Sequence, residues 1–330
     1  MEANRIAEPP AADRPHAAAL EIAFAAGFSA LAFALFLVLP LVGAIGLPLS
    51  AVPTVRLAHR RGAAAALIAS ALAGAIVTGV LLAAGQMGGW AQGVLAAATA
   101  ALPAIFAALS RRALDSSRAY LLLCATGIAL LAALLLGGSA ASGRPVGDQI
   151  AKEFDRMIPA ALESYARSGM DSETVTRVRS TLEAAREFSR KYWAGLLALL
   201  WVFSAAISWY AGARAARPAP SAEAARFEGL RVPAAVAPLF VAAGAGSVLL
   251  QGSARRIAGS LLLPLAALYF VAGLSIICHF ARKWFRFWLL RVGLYTLVAY
   301  FPMNVGVALL GLFDWYVDFR RRGAGAIEER

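Results

Sequence analysis

The side chains that could do chemistry are few in this sequence, and their spacing brings no familiar catalytic set together. The histidines are His16, His59 and His279, and the cysteines are Cys124 and Cys278, which is not the clustered spacing of a metal site. The sequence contains no P-loop, no G-x-S-x-G, no H-E-x-x-H and no C-x-x-C motif. We therefore expect a protein that is not an enzyme, and we predict neither a cofactor nor a metal site.

The composition indicates the environment in which any site must form. Hydrophobic residues make up 60% of the 330 residues, charged residues 15%, and the mean hydropathy is +0.68. Soluble domains are about 45–50% apolar and about 25% charged, so the chain is predicted to be a polytopic membrane protein. The net charge of +12 is explained by basic loops between membrane spans, and we expect no nucleic-acid partner.

Eight apolar stretches have the length and charge depletion of membrane helices, which need about 20 residues to cross a core of about 30 Å. They are 22–55, the two parts of 62–110 on either side of the turn at 85–89, 119–143, 193–213, 232–252, 257–280 and 292–313. The first contains Pro40, Pro48 and Pro53 and the last contains Pro302, so each either crosses once or turns back as a hairpin. The predicted fold is an all-α polytopic transmembrane helix bundle.

Five segments follow from this pattern. They are a flexible tail at 1–19, a transmembrane bundle at 20–141, a helical hairpin at 142–192, a second bundle at 193–313, and an interfacial helix with a basic tail at 314–330. The hairpin consists of two amphipathic helices, the second capped by Asp171 or Ser172. Its apolar faces pack on each other, cover a membrane pocket, or bind a partner.

The distribution of Lys and Arg predicts the orientation of the chain. Basic residues concentrate at 56–61, 111–118, 214–231 and 282–291, which fall on one side of the membrane and are therefore predicted to be cytoplasmic. The hairpin is then extracytoplasmic. The N-terminus lies outside if 22–55 crosses once and inside if that stretch is a hairpin, and we favour hairpins at both ends.

The two proline-containing stretches predict a ligand site. A proline within a helix frees a backbone carbonyl that lipid cannot hydrogen-bond, so two such breaks favour a shared polar pocket. We predict that Pro48, Pro53, Asn304 and Gly273 lie near one cavity for a small neutral or weakly polar solute, with Gly273 allowing a close helix contact. Asn304 binds either a freed backbone group or the solute.

Other polar residues are predicted at the membrane boundary. Arg56 and His279 are interpreted as interfacial residues. Asp314 and Asp318 are four residues apart and share one helical face. One of these carboxylates pairs either with Arg320 or with the basic turn at 56–61, unless this helix end is simply solvated.

Four segments resemble a known family. They are GLPLSAVP at 46–53, FEGLRVP at 227–233, YFVAGLSII at 269–277 and LGLFDWYVDFR at 310–320. They resemble the YybS-like family of uncharacterised bacterial membrane proteins, a domain of unknown function. The resemblance implies a multi-pass protein of the bacterial cytoplasmic (inner) membrane and no settled activity.

That family is distantly similar to the substrate-binding membrane subunits of energy-coupling-factor vitamin transporters. In those subunits, small residues four apart on the first helix dock on a partner. The resemblance implies this role for Ala26, Ala30 and Ala34.

Two functions agree with these observations. The first is a solute-binding or transport-type membrane protein in contact with the lipid bilayer. The second is a non-catalytic envelope scaffold that binds a protein partner through the first helix or the external hairpin. Few polar groups occur at membrane depth, which argues against an ion-coupled pump.

Overall fold

The computed structural model describes residues 15–38, 46–85, 89–110, 115–143, 145–167, 171–217, 226–284, 293–294, 298, 303–317 and 319–320. Its main helices are α1 (Pro15–Val38), α2 (Val52–Arg61), α3 (Ala63–Ala83), α4 (Gly89–Ser110), α5 (Ser116–Ser142), α6 (Val146–Arg167), α7 (Ser172–Ala216), α8 (Ala237–Leu249), α9 (Gly252–Trp284) and α10 (Met303–Val317). Short 3₁₀ turns occur at Phe227–Gly229 and Ala234–Val236. These described residues contain no β-strand, so the predicted all-α fold is confirmed.

The apolar helices show a multi-pass membrane protein. Within the described residues, α1, α3, α4, α5, α7 and α9 are long and apolar enough to span a bilayer. Two further apolar helices, Ala234–Leu249 and Met303–Val317, are shorter. Six of the eight predicted stretches therefore contain long helices, and the described helices of the other two are shorter than a full bilayer at about 1.5 Å per residue.

The chain forms two compact units that alternate along the sequence. The first comprises the described parts of Met1–Leu123 and Ser204–Leu230, and the second those of Cys124–Phe203 and Arg231–Arg330. Helices α5 and α7 therefore contribute residues to both units. This division differs from the predicted segments, because hydropathy reports membrane spans and not which spans pack together.

A short polar helix, α2, is buried in the first unit. Thr54, Val55 and His59 are at most 2% exposed. The Thr54 hydroxyl donates a 2.8 Å hydrogen bond to the carbonyl of Ala100 on α4. A Cβ atom added at Gly212, in the last part of α7, would lie 2.5 Å from the Val55 side chain, so the two helices touch there. The buried Thr54 hydroxyl is thus satisfied by a neighbouring helix.

Small residues allow the remaining helices of the first unit to pack closely. Ala30 and Phe33 of α1 form a core cluster with Ala73, Val77 and Ala96 of α3 and α4. A Cβ atom at Gly74 would lie 2.6 Å from the Gly93 carbonyl oxygen, so no larger residue fits between α3 and α4 at this level without displacing backbone.

The second unit contains a similarly close pair, α9 and α10. A Cβ atom at Gly273 would lie 1.9 Å from the Val307 carbonyl oxygen, and one at Gly311 would lie 2.1 Å from the Tyr269 carbonyl oxygen. Since higher residue numbers on α10 meet lower ones on α9, the two helices are antiparallel. The ring of Tyr269 packs against Phe240 of α8 with a centroid distance of 5.2 Å.

The two amphipathic helices of the predicted hairpin are α6 and the first part of α7. Arg186 forms a two-point ion pair with Asp155, in which Nε lies 2.7 Å from Oδ1 and Nη2 lies 3.1 Å from Oδ2. Asp171 caps α7 as predicted, because the Thr174 backbone N–H donates a 2.9 Å hydrogen bond to its carboxylate. Hydrogen bonds from the Thr174 side chain and backbone lower the pKa of the Asp171 carboxyl below its usual range.

Candidate functional site

A kink in α7 marks the point where this helix passes from polar to apolar sequence. Tyr192 has φ −120° and ψ 20°, which is not helical, whereas the flanking residues are helical. Charged residues precede it up to Lys191, and the apolar stretch begins at Trp193. Such a transition, with an aromatic residue beside a basic one, is typical of the membrane–water boundary.

Beside this kink lies a cavity of the second unit, which we call the α5–α7–α9 cleft. Its volume is about 540 Å³. Apolar residues from all three helices form its walls: Ile128, Leu131, Ala132, Leu135 and Leu136 of α5, Ala194, Gly195 and Ala198 of α7, and Ile257, Leu261 and Pro264 of α9. Ligand sites with an apolar body of this size are common in proteins.

The end of the cleft at the kink is basic. Arg190, Lys191 and Arg256 line it together with Ser253 and Trp193. Two further cavities of about 560 and 510 Å³ are also lined by Lys191 and Arg256. The cleft therefore has a polar, cationic end near the membrane boundary and an apolar end deeper in the unit.

The cations at this end differ in whether they are neutralised. Arg190 Nη2 lies 3.1 Å from the carboxylate of Glu187. Among the described residues, Lys191 and Arg256 form no ion pair with a carboxylate. Asp148 lines the 560 Å³ cavity but not the cleft. In the described part of the chain, these two cations thus have no carboxylate within ion-pair distance, although Glu187 lines the 510 Å³ cavity with both of them.

Two glycines determine how closely the walls approach. A Cβ atom at Gly195 would lie 2.5 Å from the Ser260 carbonyl oxygen, and one at Gly259 would lie 2.6 Å from the Tyr192 ring. Helices α7 and α9 are therefore in backbone contact beside the cleft. Larger residues would force them apart and change its shape.

The four residues of the predicted ligand site lie elsewhere. Pro48 is in the first unit, where its carbonyl accepts a 2.6 Å hydrogen bond from the buried Ser208 hydroxyl. Pro53 occupies the first turn of α2, where the missing N–H costs nothing, and adjoins a void of only about 10 Å³, the space of about one water molecule. Gly273 and Asn304 are in the second unit and do not line the cleft.

The local surroundings of the last two residues differ from each other. Gly273 lies directly against the Val307 backbone, which leaves no space for a solute at that point. Asn304 is half-buried in the first turn of α10, and its Oδ1 atom has no hydrogen-bond partner among the described residues. The proposed sharing of one cavity by all four residues stays a prediction.

The residues predicted at the boundary take several positions. Arg56 lies on α2 beside the small void, and His279 lies near the end of α9, 5.4 Å from the ring of Phe280. Asp314 pairs with Arg320 at 3.6 Å, one of the two pairings that the sequence indicates, and both side chains are less than 10% exposed. Asp318 lies outside the described residues.

The small-residue stripe of α1 packs inside the chain. Ala26 and Ala30 are at most 4% exposed, and Ala30 contacts residues of α3 and α4, while Ala34 is half-buried. The face of α1 that remains exposed carries Leu20, Phe24 and Leu31, each more than 60% exposed. In a membrane, this apolar face contacts lipid, and the alanine face holds the first unit together.

Sequence reasoning missed the cleft, although a signal for it was present. The pairs Arg190–Lys191 and Arg255–Arg256 each stand immediately before a long apolar stretch. The predicted topology puts both pairs on the same side of the membrane. What the sequence does not indicate is that the two stretches pack side by side, which depends on glycines 195 and 259.

Comparison with known proteins identifies a family. A family model described as "Predicted membrane protein (DUF2232)" matches residues 27–315. No curated protein and no solved structure matches the chain. The described residues also contain no group of three histidine, cysteine or acidic residues placed to hold a metal ion.

Proposed function

Because the chain belongs to the DUF2232 family of predicted membrane proteins, we propose that it is a solute-binding, transport-type protein whose solute occupies the α5–α7–α9 cleft. We place it in the bacterial inner membrane, and we propose that it acts without catalysing a reaction.

The observation that carries this proposal is the two-ended character of the cleft. A volume of about 540 Å³ with apolar walls and a basic end fits a small molecule that has an apolar body and a polar end. An apolar cavity with a few polar groups at one end orients its ligand, since the ligand's polar end would otherwise lose its hydrogen bonds.

The exposed part of the hairpin favours a second function, that of an envelope scaffold. Met157 is 55% and Tyr165 38% exposed on α6, outside the apolar spans. Exposed large side chains of this kind are frequent in protein interfaces. Recovery of a protein partner crosslinked through α6, together with a cleft that retains no molecule, would favour the scaffold function.

Two alanines on α5 offer a matched test of the proposed function. Ala132 lines the cleft, whereas the adjacent Ala133 does not, and both are exposed. Ala132→Trp would fill the cleft, and Ala133→Trp would add the same side chain towards lipid.

The measurement is native mass spectrometry of the purified protein. We expect the wild type and Ala133→Trp to retain a small molecule that Ala132→Trp loses. The proposal fails if no molecule is retained and no compound in a broad thermal-shift panel of neutral, anionic and amphiphilic solutes stabilises the wild type. It also fails if Ala132→Trp binds as well as Ala133→Trp.

A further inference from the structure

The length of the cleft suggests where its ligand comes from. Along α7 its lining runs from Arg190 to Ala198, which is about 12 Å at 1.5 Å per residue, and along α9 from Ser253 to Pro264, which is about 16 Å. One leaflet of a bilayer has a hydrocarbon thickness of about 15 Å. The apolar lining of α5, from Ile128 to Leu136, extends over about 12 Å, so the cleft with its basic end included has about the depth of one leaflet.

The basic end lies at the level of lipid headgroups. Lys191 directly precedes the kink, and Trp193 begins the apolar part of α7. Arg256 precedes the apolar stretch of α9 in the same way. Basic side chains beside an aromatic residue at this depth are placed to meet the phosphates of a leaflet.

The charges at this end favour phosphate over other headgroups. Glu187 compensates Arg190, whereas Lys191 and Arg256 have no carboxylate partner in the described part of the chain. A phosphate monoester carries about −1.5 to −2 charges at neutral pH, which matches these two cations. A carboxylate supplies one negative charge and a neutral headgroup none. Arginine also binds phosphate through two parallel hydrogen bonds.

We propose that the cleft holds a lipid with a phosphate headgroup, taken from the bilayer, with its phosphate against Lys191 and Arg256 and its chain along α5, α7 and α9. This inference rests on the proposed function and specifies the class of its ligand. The proposed ligand differs from the small neutral solute that the sequence predicts, because a neutral molecule would leave the charges of Lys191 and Arg256 uncompensated.

The probes are four molecules that separate the headgroup from the chain. They are a single-chain phosphatidic acid, the monoacylglycerol and the fatty acid of the same chain length, and inorganic phosphate. Binding to the full-length protein in a neutral detergent is measured by native mass spectrometry and by ligand-induced thermal stabilisation. We expect the phosphatidic acid to bind, and the other three to bind at least tenfold more weakly.

The charge requirement is tested with two double variants that remove the same charge. Lys191→Gln with Arg256→Gln removes the two cations of the cleft. Arg167→Gln with Arg177→Gln removes two exposed cations of the hairpin, each paired to a glutamate four residues earlier. We expect the first pair to weaken phosphatidic acid binding about 30-fold, equivalent to about 2 kcal/mol, and the second to leave it within about twofold.

The possible results lead to different conclusions. If the monoacylglycerol or the fatty acid binds as tightly as the phosphatidic acid, the headgroup assignment is overturned, but the proposed function stands. If inorganic phosphate binds equally well, the bilayer is not the source. If both double variants lose binding equally, the effect is one of general charge and the assignment to Lys191 and Arg256 is wrong. If none of the four probes binds, the lipid inference fails, while other solutes in the panel still test the proposed function.

Discussion

Arg61 Nε lies 2.7 Å from Glu21 Oε2, so the beginning of α1 and the end of α2 meet at the same end of the first unit. The chain between them contains the apolar stretch 22–55. Its two ends are thus on one side, which is the hairpin alternative that the prolines indicate and not the single crossing. With this arrangement, the start of α1 and the basic turn at 56–61 share one side of the membrane.

We predict that this ion pair contributes to the stability of the first unit. Arg61 is 18% exposed, so Arg61→Gln should lower the thermal stability in detergent by an amount equivalent to about 1–2 kcal/mol. Arg60 is the control, because it lies 3.3 Å from the same carboxylate and is 38% exposed. Arg60→Gln should cost no more than about 0.5 kcal/mol. Equal effects of the two variants would contradict this account.

The orientation of the chain predicts opposite accessibility for two exposed arginines. Arg118 belongs to a predicted cytoplasmic turn and Arg177 to the hairpin, which is predicted to be extracytoplasmic. After replacement of Cys124 and Cys278, an impermeant thiol reagent applied to intact cells should label Arg177→Cys and leave Arg118→Cys unlabelled. Labelling of Arg118→Cys alone would reverse the orientation, and equal labelling would contradict the predicted alternation of loops.

The cap at Asp171 predicts a dependence of hairpin stability on pH. Its carboxyl has a pKa lowered in the folded state by hydrogen bonds from Thr174. The stabilisation is therefore present above the unfolded pKa of about 3.9 and is lost as the pH falls towards the lower folded value. Asp171→Asn retains a capping oxygen but does not titrate.

The measurement is the difference in thermal stability between the wild type and Asp171→Asn, followed by circular dichroism across acid pH. We expect the wild type to lose its advantage as the carboxyl becomes protonated. A difference that does not change with pH would show that the charge of this cap is unimportant.

Several features of the fold could be predicted because they depend on local sequence. The apolar helices, the two hairpin helices and the Asp171 cap follow from hydropathy, periodicity and capping preferences. The burial of α2 does not, because its sequence VPTVRLAHRR is polar on average and its burial depends on tertiary contacts, such as the hydrogen bond from Thr54 to the Ala100 carbonyl. Local patterns carry no information about such partners.

The candidate site could be predicted less well, for a related reason. A proline indicates a freed backbone group but not what satisfies it, and at Pro48 a hydroxyl 160 residues later in the chain hydrogen-bonds the proline's own carbonyl. The cleft depends on contacts between helices that are distant in sequence, such as that of Gly195 with Ser260. The charges at its end are visible in the sequence, whereas their convergence on one cavity is not.

One glycine of α9 and one of α10 offer a direct test of close packing. At Gly273 an added Cβ atom would collide with the Val307 backbone, while at Gly306, on α10, it would meet nothing within 4 Å. Gly273→Ala should therefore destabilise the protein by about 1–3 kcal/mol or more. Gly306→Ala should be neutral or stabilising by up to about 1 kcal/mol, because alanine is the better helix former. Thermal unfolding in detergent measures both, and a tolerated Gly273→Ala would contradict the close contact.

The pair formed by Asp314 and Arg320 should respond asymmetrically to substitution. Both side chains are less than 10% exposed, and Arg320 also donates a 2.7 Å hydrogen bond to the Ser275 hydroxyl. Arg320→Gln leaves a buried carboxylate without its cation, which is expected to cost about 3–5 kcal/mol. Adding Asp314→Asn removes that stranded charge, so the double variant should be more stable than Arg320→Gln alone.

The exposed pair of Arg167 and Glu163 is the control, and Arg167→Gln should cost at most about 0.5 kcal/mol. If the double variant is no more stable than Arg320→Gln, the lost contacts of the guanidinium, including that with Ser275, explain the destabilisation, and the ion pair with Asp314 does not.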